Sequence, residues 1–407
     1  MSFGVSGEAA TLFQLVSHVA DITSCVLRGA YCLIKLVDSG IQLEERQTAP
    51  VGEQSSSAGL MLSDFWYPAL LSRELRGRKL LKTILLGLPV VVGRDANGRA
   101  FAMKDICPHR GIPLSCGRVE GENLECCYHG WKFNVHSGTC MEIPSLTADS
   151  RIKPEKIHAT YYPCEERDGY VWVFMAESRN SAMSPPPVPE LPLPSREFKI
   201  THLSADLPCN VDHGVIGLMD PAHGPFVHQS WWWRTRRSIH EKQKTFEPIP
   251  YGFRIRTHTP SANSGAYKLL RFYGDAVTTS IEFTLPNIRV EQIRIGDHWV
   301  VNRAVVTPIA QGRCRLDFCA AWNIFSWVPF VKPIFNVFAR KFIRQDQGTM
   351  ELQAEGLRFN PPLMLIDDAD RLGKWYFQLK AAYVRSKKTG LPFEHPMSGP
   401  VTLRWRS

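Results

Sequence analysis

The chain has 407 residues, 48 Lys and Arg against 39 Asp and Glu, a formal charge of +9, and 11 cysteines. That length gives room for two or three domains with real cores, and the thinly spread positive charge suits an acidic partner or anionic surface better than nucleic acid. No apolar run reaches the ~18 residues a transmembrane helix needs, and the N-terminus lacks a basic n-region and cleavage site, so a reducing cytoplasmic setting is expected, where clustered cysteines are metal ligands more often than disulfides.

In chain order, residues 8–39 come first. Leu12, Leu15, Val19, Ile22, Val26, Leu33 and Val37 recur at helical spacing, with Asp21, Arg28 and Lys35 elsewhere on the surface. Such an amphipathic helix either packs on its own protein or rests peripherally on a membrane surface. A stretch rich in Ser, Glu, Gln and Gly follows and reads as a flexible linker, giving a first segment of residues 1–59.

Short β runs occupy residues 60–180. Asn97-Gly98 reads as a hairpin turn between two apolar strands, His136-Ser137-Gly138 as a second turn, and Gly169 to Met175 as a further strand. Two loops here carry chemistry. Cys107-x-His109 is followed, after sixteen residues, by Cys126-x-x-His129 within the stretch ECCYHGW. Cys126, not its neighbour Cys127, has the matching spacing, and Cys127 is expected to fill a tight turn. Two thiolates and two imidazoles suit tetrahedral Zn²⁺. They equally suit a [2Fe–2S] centre with two histidines on one iron. The one-residue Cys-x-His gap, with Gly111, Gly130 and Trp131 closing the loops, is the Rieske pattern. Cys116 and Cys140 read as small buried residues. Lys104, Arg110, Arg118 and Lys132 flank the loops and are candidates for steering an acidic electron donor.

Residues 181–196, rich in proline, read as a stiff linker. The next segment, 197–386, alternates strand patterns near Phe253 and Ile281 with helices around Asp220, over Pro333 to Leu357, and over Asp368 to Val384, leaving 387–407 as a C-terminal tail. Asp220-Pro221 is expected to start a helix. On an uninterrupted helix His223 and His228 would point about 140° apart. Gly224-Pro225 breaks that regularity and lets both rings reach one ion. Two histidines and a carboxylate form the facial set of non-haem Fe(II) sites. Asp346 is the first choice for a distant carboxylate and Glu351 the second, while Asp317 reads as a strand residue and Asp367 and Asp368 as a helix cap. His213 and His240 read as structural. Trp231, Trp232, Trp233, Phe226, Phe272, Tyr273 and Phe283 suggest an apolar pocket for a large flat molecule, with Arg234, Arg236 and Arg237 near an acidic group of it.

Over residues 65–384 these features resemble the α, or terminal oxygenase, subunit of Rieske non-haem iron oxygenases, most nearly the pheophorbide a, chlorophyllide and sterol oxygenase-like group. The resemblance implies an α+β chain: an N-terminal all-β Rieske [2Fe–2S] domain, then a helix-grip (START-like) catalytic domain with a mixed antiparallel sheet and helices. It implies that Cys107, His109, Cys126 and His129 hold the cluster, and that His223, His228 and Asp346 hold a mononuclear Fe(II). Asp220 then ligates no metal and bridges a cluster histidine of one subunit to an iron-bound histidine of the next, in a homotrimer. Asn210 matches the same motif, whereas Ile216-Gly217 stands where many members have an acidic residue and Asn. The implied activity is hydroxylation or oxidative demethylation of a large apolar ring compound with O₂. The chain has no G-x-G-x-x-G after a strand, so a ferredoxin or ferredoxin reductase is expected to supply electrons. The alternative is a non-catalytic Rieske electron carrier or redox sensor.

Overall fold

Asn97 and Gly98 occupy the turn expected of them. The Asp95 carboxylate accepts from the amides of Asn97 and Arg99, each at 2.9 Å, and Gly98 takes φ +80°, which glycine adopts without steric cost. This computed structural model describes residues 59–177, 184–194, 198–230, 235–260, 270–274, 276–328 and 330–407. The amphipathic helix expected over 8–39 and most of the linker after it lie outside them, as do Trp231 to Arg234.

Three antiparallel sheets build the first half. Strands β1 (Phe65–Leu71), β2 (Leu81–Leu85), β3 (Leu88–Arg94) and β4 (Ala100–Lys104) lead into a small meander of β5 (Arg118–Glu120), β6 (Asn123–Glu125), β7 (Lys132–Asn134) and β8 (Cys140–Glu142). Next come β9 (Tyr161–Tyr162), β10 (Cys164–Arg167) and β11 (Tyr170–Met175). The sheet orders are β2-β3-β4-β9, β5-β6-β7-β8 and β1-β11-β10. Val90, Val91, Val92, Ala102 and Phe101 are fully buried because both faces of β3 and β4 are covered, which is why that sequence reads as a continuous apolar run rather than an alternation.

The second half is one eight-stranded antiparallel sheet with helices on one face. Its elements are β12 (Lys199–Leu207), α1 (Val211–Met219), α2 (Gly224–Val227), β13 (Glu241–Ile249), β14 (Gly252–His258), β15 (Val277–Thr284), β16 (Ile288–Ile295), β17 (His298–Ala310), β18 (Arg313–Trp322), α3 (Val331–Leu357), α4 (Arg371–Thr389) and β19 (Val401–Arg406). The strand order is β12-β18-β17-β16-β15-β14-β13-β19. Val211, Val215 and Met219 of α1 and Leu372, Trp375, Tyr376 and Leu379 of α4 pack with Phe246, Phe253 and Phe283 of the sheet. Among the described residues no helix is long and apolar enough to cross a membrane.

Two expectations change here. Residues 387–407 are not a tail: β19 pairs with β13 from Glu241↔Arg406 to Phe246↔Val401 and forms the sheet edge. Its short VTLRWR run follows a Pro- and Gly-rich approach that hides the strand from pattern reading. Nor does the proline stretch merely span a gap. Val188 and Leu191 are buried, the Trp66 indole donates to the Pro186 carbonyl at 2.7 Å, and the Leu191 amide donates to Asp168 at 2.8 Å. Arg303, fully buried on β17, donates to Asp168 and to the Pro189 carbonyl and lies over the Trp172 ring at 4.8 Å. The proline segment is thus pinned into the seam between β11 and the large sheet.

A second buried ion pair ties α1 to α4. Lys380, with no exposed surface, donates to Asp212 Oδ1 at 2.5 Å; the Tyr376 hydroxyl donates to the same oxygen and the Gly59 amide to the other. Burial holds the Lys380 ammonium below its ordinary pKa, with Asp212 opposing that shift. Asp212→Ala leaves that cation buried without its partner and is expected to lower the unfolding free energy by about 3–5 kcal/mol. Replacing both partners with apolar residues is expected to restore most of the loss, as read from urea midpoints of the two variants.

Candidate functional site

Two loops, one between β4 and β5 and the other between β6 and β7, are built alike. In the first, the Cys107 amide donates to the Ile112 carbonyl at 2.8 Å and the Gly111 amide to the Cys107 carbonyl at 2.9 Å. In the second, the Cys126 amide donates to the Trp131 carbonyl at 2.9 Å and the Gly130 amide to the Cys126 carbonyl at 3.0 Å. Gly111 and Gly130 both take left-handed backbone angles, φ +77° and +70°, which close the loops. The repeat identifies Cys126 as the counterpart of Cys107. Both are buried, at 2% and 3% exposure, whereas Cys127 points outward. Cys116 is also exposed, against the sequence expectation, because it ends a 3₁₀ turn at the surface; Cys140 is buried as expected.

The four side chains divide into pairs. Burial and the adjoining Cys126 thiol push the Cys107 thiol up. The rings of His109 and His129 lie 4.6 Å apart, and His109 stacks on Trp131 at 4.4 Å and 7°. Desolvation, the His129 ring and the Arg110 guanidinium hold His109 below the ordinary imidazole value. His129 Nδ1 is buried without a hydrogen-bond partner. A single tetrahedral zinc would draw all four donor atoms together. A thiol pair beside an imidazole pair, with an orphaned ring nitrogen, fits a binuclear centre instead. Behind the first loop, buried Asp105 accepts from the amide and hydroxyl of Ser115.

Of the flanking cations, Lys132 is held between Glu120 and Glu142 at 2.9 and 2.8 Å, and Arg118 lies against Glu125 at 2.9 Å. Their charge is locally matched. Arg110 is exposed beside His109, and Lys104 is half-buried at the end of β4.

The second constellation depends on where a helix stops. Asn210 caps α1, its side chain accepting from the His213 amide at 3.0 Å. Asp220 does not start a helix; it ends α1, its amide still bonded to the Ile216 carbonyl, because Pro221 has no N–H with which to continue. The Asp220 carboxylate then accepts from the Ala222 amide at 2.7 Å, turning the chain. His223 sits at the N-cap of α2 and His228 at its C-cap, with Gly224 and Pro225 forming the first turn. One short turn therefore carries both histidines, and their Nε2 atoms approach to 3.1 Å.

Asp346, from α3, completes the group. Its Oδ1 lies 3.1 Å from His228 Nε2 and 3.8 Å from His223 Nε2, and the three donor atoms all fall within 4.8 Å of one another. Glu351, further along α3, is exposed and outside this trio. His228 is 2% exposed while His223 and Asp346 keep open surface, so one side of the group stays accessible. Two ring nitrogens and a carboxylate oxygen facing one point suit a divalent cation and leave coordination positions free.

Two residues that sequence reasoning missed hold His228. Phe342 stacks on it at 3.4 Å and 16°, and Gln345 Oε1 lies 3.2 Å from its Nδ1. An amide oxygen only accepts, so Nδ1 carries the proton and Nε2 presents its lone pair. Phe342, Gln345 and Asp346 share one face of α3 at i, i+3 and i+4, the spacing that would have revealed them once Asp346 was chosen. Asp220 Oδ2 lies 3.6 Å from His223 Nδ1. Burial pushes the Asp220 carboxyl up, but the His223 ring and the turn amides outweigh it and hold it below the usual range. Burial likewise lowers His223, and Asp220 outweighs that to raise it.

The remaining candidates lie elsewhere. Asp317 is buried against Thr307 and Arg315, and Asp367 pairs with Arg371 and Lys374 at the surface rather than capping with its side chain. His240 bonds the Ser238 carbonyl, and His213 is half-buried in α1. The expected aromatic pocket does not assemble from its described members. Phe283 is in the helix–sheet core, Tyr273 packs on Phe325 and His298, and Phe226 and Phe272 are exposed. Arg236 lies over Phe226 at 5.6 Å.

Residues 65–161 match the family described as the Rieske [2Fe-2S] domain. That stretch is a Rieske domain. The chain is 29% identical over 305 residues to chlorophyllide a oxygenase, chloroplastic, of Chlamydomonas reinhardtii, covering 70% of this chain and 42% of that one. It is 36% identical over 179 residues to the 3-chlorobenzoate-3,4-dioxygenase oxygenase subunit of Comamonas testosteroni, covering 44% of this chain and 40% of that one. The matches thus span less than half the length of these relatives. The crystal structure of dicamba monooxygenase bound to dicamba superposes with a TM-score of 0.64 at 21% identity, over 79% of this chain and 98% of that chain. The two share one fold, a β domain followed by a large sheet with helices.

The cluster loops and the His223–His228–Asp346 group fit, respectively, a [2Fe–2S] cluster and a mononuclear iron. Cys126→Ala is expected to abolish the visible absorption of the iron-loaded protein, and Cys127→Ala to retain it; the loss of colour in the second variant alone would reverse the assignment. Gln345→Leu is expected to weaken Fe(II) binding about 10- to 100-fold, measured by anaerobic metal titration, with the cluster spectrum unchanged.

Proposed function

We propose that the chain is the terminal oxygenase component of a Rieske non-haem iron oxygenase system, with Cys107, His109, Cys126 and His129 as cluster ligands and His223, His228 and Asp346 as iron ligands. The observation that carries this reading is the convergence of His223, His228 and Asp346 on one point in a chain that also has Rieske loops. An electron carrier or redox sensor has no use for that second group. When bound, the cluster supplies electrons one at a time and the mononuclear iron activates O₂. The chain's own residues do the rest. Gln345 and Phe342 fix the orientation of His228, and the open side at His223 and Asp346 leaves room for O₂ and substrate.

The substrate class we favour is a large apolar ring compound, hydroxylated or oxidatively demethylated. Its support is the kinship with oxygenases named for chlorophyllide a and 3-chlorobenzoate. For hydroxylation the balance is one O₂, two electrons and two protons per substrate, giving one hydroxyl and one water. A ferredoxin or ferredoxin reductase is the proposed donor, docking near Arg110. We further propose a homotrimer in which Asp220 links His223 to the cluster of the next subunit. Its partly open position beside His223 Nδ1 supports that role.

Feeding sterols, polycyclic terpenoids and aromatics to cells with and without the protein, followed by product analysis, tests the activity. Asp346→Ala is expected to abolish product and mononuclear iron while the cluster spectrum persists; full activity in that variant would remove Asp346 from the site. Asp220→Ala is expected to keep both metals and a reducible cluster, yet lose most product formation. Loss of mononuclear iron from this variant would make Asp220 a ligand.

A further inference from the structure

The first half of α3 presents a surface that the oxygenase reading leaves unexplained. Trp327 and Phe330, just ahead of the helix, are 72% and 76% exposed, and Ile334 and Val337 on its first turns are 52% and 65% exposed. At about 100° per residue, Ile334, Val337, Lys341 and Arg344 fall within one arc of roughly 80°. The opposite arc is committed inward. Phe335 stacks on Trp322 at 4.5 Å, Asn336 accepts from the Thr201 hydroxyl at 2.6 Å, and Ile343 is buried. The outward stripe is therefore apolar at its start and basic further along.

Charge on this stretch has one sign. From Phe318 to Gln345 the sequence has no Asp or Glu, while Lys332, Arg340, Lys341 and Arg344 are all exposed. Lys199 adds a cation at the edge, its ammonium donating to the Ser326 carbonyl at 2.6 Å. We propose that this face, Trp327 to Arg344, docks the protein on an anionic lipid surface, with the aromatic and aliphatic side chains entering the headgroup region and the cations meeting lipid phosphates and carboxylates. An exposed Trp and Phe beside basic residues on an amphipathic helix is the chemistry of interfacial anchoring. A twofold contact with a second copy of the chain would set these cations against one another, and a head-to-tail contact within the proposed trimer is distinguished by the oligomeric state of the variants below. Phe342, which touches His228, lies eight residues beyond Ile334, about 12 Å along the helix axis. Docking here holds the iron site close to the membrane surface, where apolar ring compounds concentrate. That use rests on the proposed function; the surface does not.

The test is vesicle co-sedimentation of the full chain, metal-loaded and metal-free. Vesicles of phosphatidylcholine alone are compared with vesicles that also contain phosphatidylserine, and oligomeric state is measured in parallel. The expected result is binding to the phosphatidylserine vesicles that weakens with salt and is independent of metal. Ile334→Asp/Val337→Asp and, separately, Lys341→Glu/Arg344→Glu are expected to lower partitioning about tenfold or more, with oligomeric state unchanged. Wild-type protein that ignores the anionic vesicles overturns the proposal. So does wild-type-like binding by both variants, which would move any membrane contact to another part of the chain. A change of oligomeric state in the variants, without loss of vesicle binding, would assign the face to a second copy instead.

Discussion

A proline decides the geometry on which the convergence of His223, His228 and Asp346 depends. Had α1 run on past Asp220, His223 and His228 would lie on the same helix about 140° apart and could not share an ion. Pro221 cannot supply the next helical N–H, so α1 stops and Asp220 turns the chain through the Ala222 amide. Gly224 and Pro225 then start a single new turn with a histidine at each end. The carboxylate from α3 needs no such device, because a long regular helix packed across α2 delivers it at a fixed height. The site is thus an irregular segment read against a regular one: the loop supplies convergence and the helix supplies rigidity.

The cluster loops solve a different problem by repetition. Each must hold one thiol inward and one imidazole outward on a chain too short for secondary structure of its own. The same pair of backbone hydrogen bonds, made from Cys107 to Gly111 and Ile112 and from Cys126 to Gly130 and Trp131, achieves this twice. That repeat explains why a second cysteine beside Cys126 is irrelevant to the centre: Cys127 occupies the position after the cysteine, where the loop faces solvent. It also separates the cations around the loops. Lys132 and Arg118 sit on the meander strands and are matched by neighbouring carboxylates, whereas Arg110 rides on the loop itself.

Much of this was legible in the sequence because metal chemistry restricts residue type and spacing so strongly. The two cysteine–histidine loops, the histidine pair and the order of the two halves could be read directly, and the structure brings Asp346 rather than Glu351 to the histidines. What was not legible depends on partners distant in sequence. β19 carries no strong strand signal, and only its pairing with β13 makes it one. Asp220-Pro221 has the composition of a helix start, yet the upstream Asn210 cap and the apolar spacing of α1 had already claimed the helix. Phe226, Phe272, Tyr273 and Phe283 share a residue class but not a direction, and composition alone cannot assign direction. Gln345 went unnoticed because an amide on a polar helix looks like surface until a histidine is known to stand opposite.

The helix α3 gathers these strands of reasoning, since it is asked to satisfy three environments at once. Its inward arc buries Phe335 and Ile343 against the sheet, and Asn336 there satisfies Thr201. One turn further, Phe342, Gln345 and Asp346 face His228, so packing, tautomer and charge at the site come from a single rigid element. The outward arc is left with apolar and basic residues that neither the core nor the site requires. A helix that only had to carry a ligand would be expected to show an ordinary polar surface on that side, with both signs of charge. The absence of any acidic residue between Asp317 and Asp346 is therefore a constraint on whatever faces that surface, set by the same helix that carries Asp346 to the two histidines.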